Sequence, residues 1–514
     1  MNLLDSRFSF RFLWIAGVIG LCSSLFLILW FWRGAIPSGI TSGVWAALAN
    51  DFAEGVLYRP VFDESGYGGT RYMPLFFVLY GSLISLFHDP VTAGFSLSLA
   101  TLVFLDLGIY FLLREIETPK SIAVPLTFLV HASISLQLLT LETRGDFLAS
   151  GMNVWGILLA LKHLRTHSWG ILTLSVLCFV GALFTKFTTI GGLAVLAFYF
   201  LIQEKRSSAF YLTGLTTVST LALLWGINEL SQGNALASFQ ACILGGFNFD
   251  YALKTPLWFI SVAIQDPFFL ALLCLAVYLM TRIKPGHWKS FVPLYFGWTL
   301  ISTFAIFSSP GTDGNHLIDL LIASILVLAL QFQKDEKFSK AYNFCFLFLI
   351  VGNLFMAIPG TISIKDHIEP IGRPTRDTIR AIAEELGPKR KNLLSENPLI
   401  PLLMGQRPIV MDPFSLRIIA QKFPEVRADF IHKIENHFFG AIVLLDWSSA
   451  PLDQLENAMA EHSSLGVDRF YGEVHFPPGF LDLMKKYYFL SFVKRPYVVY
   501  EPKKSGSQYT IKNK

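Results

Sequence analysis

Three short stretches hold the residue types that acid–base and phosphate chemistry need. LETRGDFL sets Glu142, Arg144 and Asp146 at alternate positions, FTKFTT carries the lone Lys186, and SSPGTDGNHLID clusters Asp313, Asn315, His316 and Asp319. A carboxylate beside a cation can take a proton from a hydroxyl while the cation offsets negative charge growing on a leaving group. Each stretch also has a plainer reading. Asp146 reads equally as an N-cap or as half of an Arg–Asp pair that ends a helix. Lys186 either meets a phosphate as a point charge or snorkels to an interface. His316, in a Gly-rich turn, is either a capping group or an acid–base group.

A fourth, longer stretch spans residues 33–72. In TSGVWAALANDFAEGVLYRP, Trp45, Leu48, Ala49 and Phe52 recur at helical spacing, which leaves Asp51 and Glu54 on the wetter side of a short helix. In GYGGTRYMPL, Gly66, Gly68 and Gly69 permit a tight backbone path just before Arg71 and Pro74.

What positions these stretches is a set of apolar runs. The 514 residues are 53% hydrophobic and only 15% charged, with 15% aromatic. That balance is too apolar for a soluble enzyme. Lys plus Arg number 41 and Asp plus Glu 37, a formal net charge of +4, and no basic run stands clear of the apolar segments. Nucleic-acid binding is therefore not expected. Eleven apolar runs read as spans, several of them short, near 12–32, 91–113, 121–140, 147–161, 168–184, 189–203, 209–227, 255–280, 291–307, 316–332 and 342–363. The first follows Arg7 and Arg11 without a small-residue cleavage site before Trp30, so it reads as a retained anchor.

Placing the N-terminus in the cytoplasm puts fourteen Lys and Arg, from Arg7 to Lys340, in the inner connections and six outside, Arg33, Arg59, Arg71, Arg144, Lys186 and Lys254. The same alternation makes the stretch from Met73 to Phe87 a helix along the outer surface, because a crossing there would invert every later loop. All four candidate stretches then face outward at helix mouths, where water meets the bundle.

The tail is different. From Lys365 to Lys514 there are 21 basic and 18 acidic residues, half of all the charges in the chain. It reads as a water-soluble α/β domain over 364–514, following a transmembrane domain over 1–363 whose long first outer loop is 33–90. Expected strands are NLLSE, RPIVMD, AIVLLD and YVVYE. Expected helices are Pro374 to Leu386, SLRIIAQKF, ADFIHKIENHF, PLDQLENAMA and PGFLDLMKKYY. No phosphate loop, zinc spacing or nucleophile elbow appears in the tail, and all five cysteines precede it, so no disulfide framework is implied.

In layout the first 360 or so residues resemble the GT-C membrane glycosyltransferases, which include protein mannosyltransferases, bacterial aminoarabinose transferases and oligosaccharyltransferases. The resemblance rests on a first span, then A-x-x-x-x-x-G-x-x-Y at Ala49, Gly55 and Tyr58, then an apolar helix opened by Arg71, Tyr72, Met73 and Pro74, and the Arg-x-Asp of Arg144 and Asp146. It implies an inverting glycosyltransferase that moves a sugar from a polyprenyl-phosphate carrier to a lipid, glycan or protein acceptor at the outer face. It further implies an integral protein of a bacterial inner membrane, with its tail in the periplasm. Asp146 resembles the acid of the family's second outer loop, and Arg71 the basic residue that meets the carrier phosphate, with Arg144 and Lys186 as further phosphate candidates. Glu54, Tyr72, Asn315 and His316 are candidates for acceptor or sugar contacts.

One position departs from the family pattern. The acidic pair that usually precedes the Ala matching Ala49 reads Thr41 and Ser42 here. Among Asp51, Glu54, Asp63 and Glu64, Asp51 ranks first as the replacement catalytic acid because it lies on the same short helix. A divalent cation is left open, since hard cations want several oxygen ligands and only one clear carboxylate carries over. Two other readings stand beside the enzyme. One is a transporter or flippase for lipid-linked saccharides, which would show paired inverted halves with broken helices. The other is a non-catalytic GT-C-like scaffold, which the missing acidic pair would also fit.

Overall fold

The computed structural model describes residues 6–242, 249–283, 289–309, 312–330, 358–366, 372–446 and 475–503, with a few positions in the two gaps flanking 372–446. The apolar runs form α1 (Ser6–Trp32), α2 (Ile40–Ala53), α3 (Pro74–Phe87), α4 (Pro90–Glu115), α5 (Lys120–Leu129), α6 (Ile134–Leu139), α7 (Asp146–Thr166) and α8 (Trp169–Thr185). They continue as α9 (Gly191–Ile202), α10 (Arg206–Leu230), α11 (Asn234–Cys242), α12 (Phe249–Gln265), α13 (Pro267–Thr281), α14 (Phe291–Ile306) and α15 (Ile318–Leu330).

Among the described residues, four helices are long and apolar enough to cross a membrane: α1, α4, α7 and α10. The bent pair α12–α13 makes a fifth if it is one span, and α3, α5, α8, α9, α14 and α15 are shorter apolar helices. The eleventh expected run, 342–363, lies mostly outside the described residues, as do Lys284, Lys334, Lys337 and Lys340. With 14 residues, α3 is about 21 Å long, short of a bilayer core of roughly 30 Å.

Two of the expected runs are broken, and one buried acid explains both breaks. The 121–140 run stops after α5 and restarts at Ser133, the cap of α6. The 255–280 run bends by 117° at Asp266. The Asp266 carboxylate accepts from Phe269 N at 3.0 Å, capping α13, and from Ser133 Oγ at 2.5 Å and Ser135 N at 3.0 Å, so one side chain pins both helix starts together.

The C-terminal part comprises α16 (Arg376–Leu386), β1 (Leu393–Ser395), α17 (Leu399–Leu403), α18 (Pro413–Lys422), α19 (Pro424–Glu435), β2 (Ala441–Leu445), β3 (Val467–Asp468), β4 (Gly472–Glu473), α20 (Phe480–Tyr487), β5 (Tyr488–Lys494) and β6 (Tyr497–Pro502). The main sheet runs β1-β2-β6-β5, with β1 and β2 parallel and the other pairs antiparallel. β5 was not anticipated: α20 ends at Tyr487 and the chain turns straight into it. RPIVMD does not join this sheet, because Val410 instead bridges to Tyr67 of the outer loop. PLDQLENAMA lies almost wholly outside the described residues.

That exchange welds the two parts together. One apolar cluster runs from Trp45 and Leu48 of α2 and Phe76 of α3 to Leu399, Ile400 and Tyr497 of the C-terminal part. α2 and α3 cross closely at Gly81, where a Cβ would stand 2.4 Å from the Ala49 carbonyl oxygen.

Candidate functional site

The ends of three helices converge on one point. α7 begins at Asp146, whose side chain caps no backbone N–H; the N-cap is Gly145. α8 ends at Thr185, and Lys186, its C-cap, is extended at the helix end that favours a cation. The short turn 314–317 leading into α15 brings Asn315. At the meeting point Lys186 Nζ lies 2.6 Å from Asp146 Oδ1, Asn315 Nδ2 donates to the same oxygen at 2.8 Å, and Arg144 Nε lies 3.1 Å from Oδ2. Arg144 also pairs with Glu142 at 3.0 Å. Asp146 is therefore neither an N-cap nor half of a simple pair. It is a 7% exposed carboxylate with cations on both sides.

This cluster forms one wall of a cleft of about 480 Å³. The rest is lined by Thr41 and Trp45 of α2, Arg71, Tyr72 and Met73 before α3, Thr185, Phe187 and Thr188 around Lys186, Cys242, and Ala305, Ile306, Ser309, Thr312 and His316. Thr143 N donates to Ser42 Oγ at 3.0 Å, which ties α2 to the Arg144 loop, and the Trp45 and Tyr72 rings meet at 4.5 Å.

Arg144 has its pKa raised: burial opposes the charge, but the Asp146 and Glu142 carboxylates outweigh it. Burial pushes Glu142 up against the pull of Arg144, and raises the Tyr72 phenol, which stays neutral. Burial, with Asp412 nearby, pushes the Cys242 thiol up to about 12, so it is not an activated nucleophile.

The cleft thus brings together Asp146, Arg71, Arg144, Lys186, Tyr72, Asn315 and His316. Asp51 and Glu54 do not line it. Asp51 is 2% exposed rather than on a wet face. Its carboxylate is gripped by the Arg59 guanidinium through Nε and, at 2.7 Å, Nη2, with Arg407 at 3.3 Å. It ties α2, the outer loop and the C-terminal part together, outside the cleft. Glu54 is exposed and accepts from Asn50 Nδ2 at 2.8 Å, one turn back on its own helix. Thr41, which stands where the family pattern has an acid, does face the cleft. The hydroxyls of Thr185, Thr188, Ser309 and Thr312 were not singled out from sequence; their signal was adjacency to Lys186 and to the Asp313–His316 turn. Converting Asp51 to Asn leaves Arg59 buried without its charge partner, which costs about 3–5 kcal/mol. A clear drop in the thermal unfolding midpoint in detergent is expected. An unchanged midpoint together with lost activity would return Asp51 to the chemistry.

These residues do not fit a divalent cation. Among the described residues no three His, Cys, Asp or Glu side chains converge. The one carboxylate in the cleft already has Lys186, Asn315 and Arg144 on its oxygens. A hard cation there would meet two positive groups and a single acid.

No protein-family model and no curated protein matches the sequence. Solved structures do match it. ArnT from Cupriavidus metallidurans, bound to undecaprenyl phosphate, aligns at 14% identity with a TM-score of 0.52, covering 98% of this chain and 100% of that one. The archaeal oligosaccharyltransferase AglB from Archaeoglobus fulgidus, in complex with an inhibitory peptide and a dolichol-phosphate, aligns at 12% identity with a TM-score of 0.56, covering 98% and 75%. The same archaeon's oligosaccharyltransferase tethered to an acceptor peptide aligns at 13% with a TM-score of 0.56. At these identities the likeness is one of fold: this chain shares with these structures a helical part followed by a C-terminal domain.

Proposed function

We propose that this chain is an inverting glycosyltransferase that moves a sugar from a polyprenyl-phosphate carrier to an acceptor hydroxyl or amide at the outer membrane face. The observation that carries the reading is Asp146, a carboxylate held between Lys186 and Arg144 in a cleft that also exposes Arg71. Three cations face one acid, which favours an anionic ligand, and the cleft sits at helix ends where a lipid headgroup arrives.

In the proposed reaction the acceptor oxygen or nitrogen attacks the sugar's anomeric carbon from the face opposite the phosphate. The new bond to the acceptor forms as the bond from carbon to phosphate oxygen breaks, which inverts the centre. Asp146 takes the acceptor's proton, and the electron pair leaves with the carrier phosphate, whose charge Lys186, Arg144 and Arg71 offset. Tyr72, Asn315 and His316 line the remaining wall and are placed for sugar or acceptor contacts. The account needs no metal step. The proposed setting is a bacterial inner membrane with the N-terminus in the cytoplasm and the cleft and tail in the periplasm, an orientation that the Lys and Arg bias of the short loops supports.

Native mass spectrometry of the full chain with added undecaprenyl phosphate tests the reading. One carrier per chain is expected, and Arg71→Ala should weaken its retention about tenfold or more, as for loss of a charge-assisted contact. A chain that ignores the carrier, or a variant that holds it equally well, would overturn it.

A further inference from the structure

Arg71 differs from the other cleft cations in how it is held. Lys186 and Arg144 lean on carboxylates, whereas among the described residues no carboxylate pairs with Arg71. Its guanidinium instead lies over the ring of Phe414, 4.2 Å from the centroid. Phe414 belongs to the C-terminal part, in the first turn of α18, and is 6% exposed. Its backbone is fixed in turn: Asp412 caps the helix by accepting from Phe414 N at 3.1 Å and Ser415 N at 3.2 Å.

The chain on either side is zipped to match. Arg59 Nη1 donates to the Pro408 carbonyl at 2.6 Å, Tyr67 N to that of Ile409 at 2.8 Å, and Met411 N to that of Tyr67 at 2.9 Å. Gly66, at φ 136°, permits this approach, since a Cβ there would stand 2.1 Å from the Ile409 oxygen. The outer loop that ends in Arg71 is therefore laid along the segment that begins α18. An aromatic face orients a guanidinium without neutralising it, whereas a carboxylate would do both.

We propose that Phe414 is a positioning residue of the donor phosphate site, through which the C-terminal domain presents Arg71 with its charge unspent. This rests on the reading of Arg71 as a phosphate contact and gives the C-terminal domain a direct part in donor binding.

Phe414→Trp and Phe414→Leu both keep an apolar side chain at the site, but only the first keeps a π face. In full-length protein in nanodiscs, Phe414→Leu is expected to weaken undecaprenyl phosphate binding about 2- to 30-fold, the span of a cation–π contact. It should also raise KM for the lipid-linked donor far more than it lowers kcat. Phe414→Trp should stay near the unaltered chain. In the Arg71→Ala background the Phe414→Leu substitution should add nothing. Equal binding by the Leu and Trp variants, or additive losses in the double variant, would overturn the proposal while leaving the phosphate role of Arg71 intact. Failure of Arg71→Ala to weaken binding would overturn that role and the proposal with it. Matched thermal midpoints for the Leu and Trp variants assign a difference in binding to the contact rather than to folding.

Discussion

Asp146→Asn is expected to abolish sugar transfer, with kcat falling by about 10²–10⁴-fold, the range for loss of a general base. The amide keeps the shape and can still accept from Asn315, which donates to Asp146 at 2.8 Å. It removes the negative charge that Lys186 and Arg144 flank and, with it, the group proposed to receive the acceptor's proton. The chain should tolerate the change, because Arg144 retains Glu142 at 3.0 Å and Lys186, 23% exposed, can turn to water. Carrier binding should persist or tighten, since among the described residues that line the three-cation cleft the one acid is gone. Transfer assayed with saturating donor, beside a carrier-binding measurement, separates these effects. A variant that still turns over at a rate near that of the unaltered chain would remove Asp146 from the mechanism and favour the non-catalytic scaffold.

Lys186→Ala is expected to lower kcat/KM by about 10²–10³-fold, the scale for removing one preorganised group at a developing charge. Its Nζ lies 2.6 Å from Asp146 Oδ1, so a divalent cation at this acid would have to displace it. Turnover of the unaltered chain should therefore be the same with and without EDTA. Lys186→Arg should recover only part of the loss, because a planar fork does not sit where a compact ammonium does. Activity that disappears on chelation and returns with Mg²⁺ or Mn²⁺ would contradict this assignment of Lys186.

Several of the candidate residues that share the cleft stand next to the end of an apolar run, a position that sequence displays. The start of α7, the end of α8 and the turn before α15 bring Arg144, Asp146, Lys186, Asn315 and His316 to one cleft, however far apart they lie in the chain. The resemblance supplied Arg71 and Tyr72, and spacing alone would not have ranked them. Asp51 shows where local reasoning stops. Its helical periodicity is real, as α2 confirms, but the face it occupies is covered by Arg59 and by Arg407, the latter 356 positions away. No local pattern reports a partner at that distance. RPIVMD illustrates the same limit, since a buried apolar run has strand character whichever edge it pairs with, and here the edge belongs to the outer loop at Tyr67. The breaks at Ser133 and Asp266 are likewise one tertiary contact seen twice.

The most direct measurement is a cryo-electron microscopy structure of the full chain in nanodiscs with undecaprenyl phosphate. The account predicts the phosphate in the cleft within hydrogen-bond reach of Lys186, Arg144 and Arg71, with the prenyl chain leaving toward the bilayer and Asp146 facing open space on the other side. A phosphate seated away from these three cations, or carrier bound with Asp146 walled off from any acceptor, would contradict it.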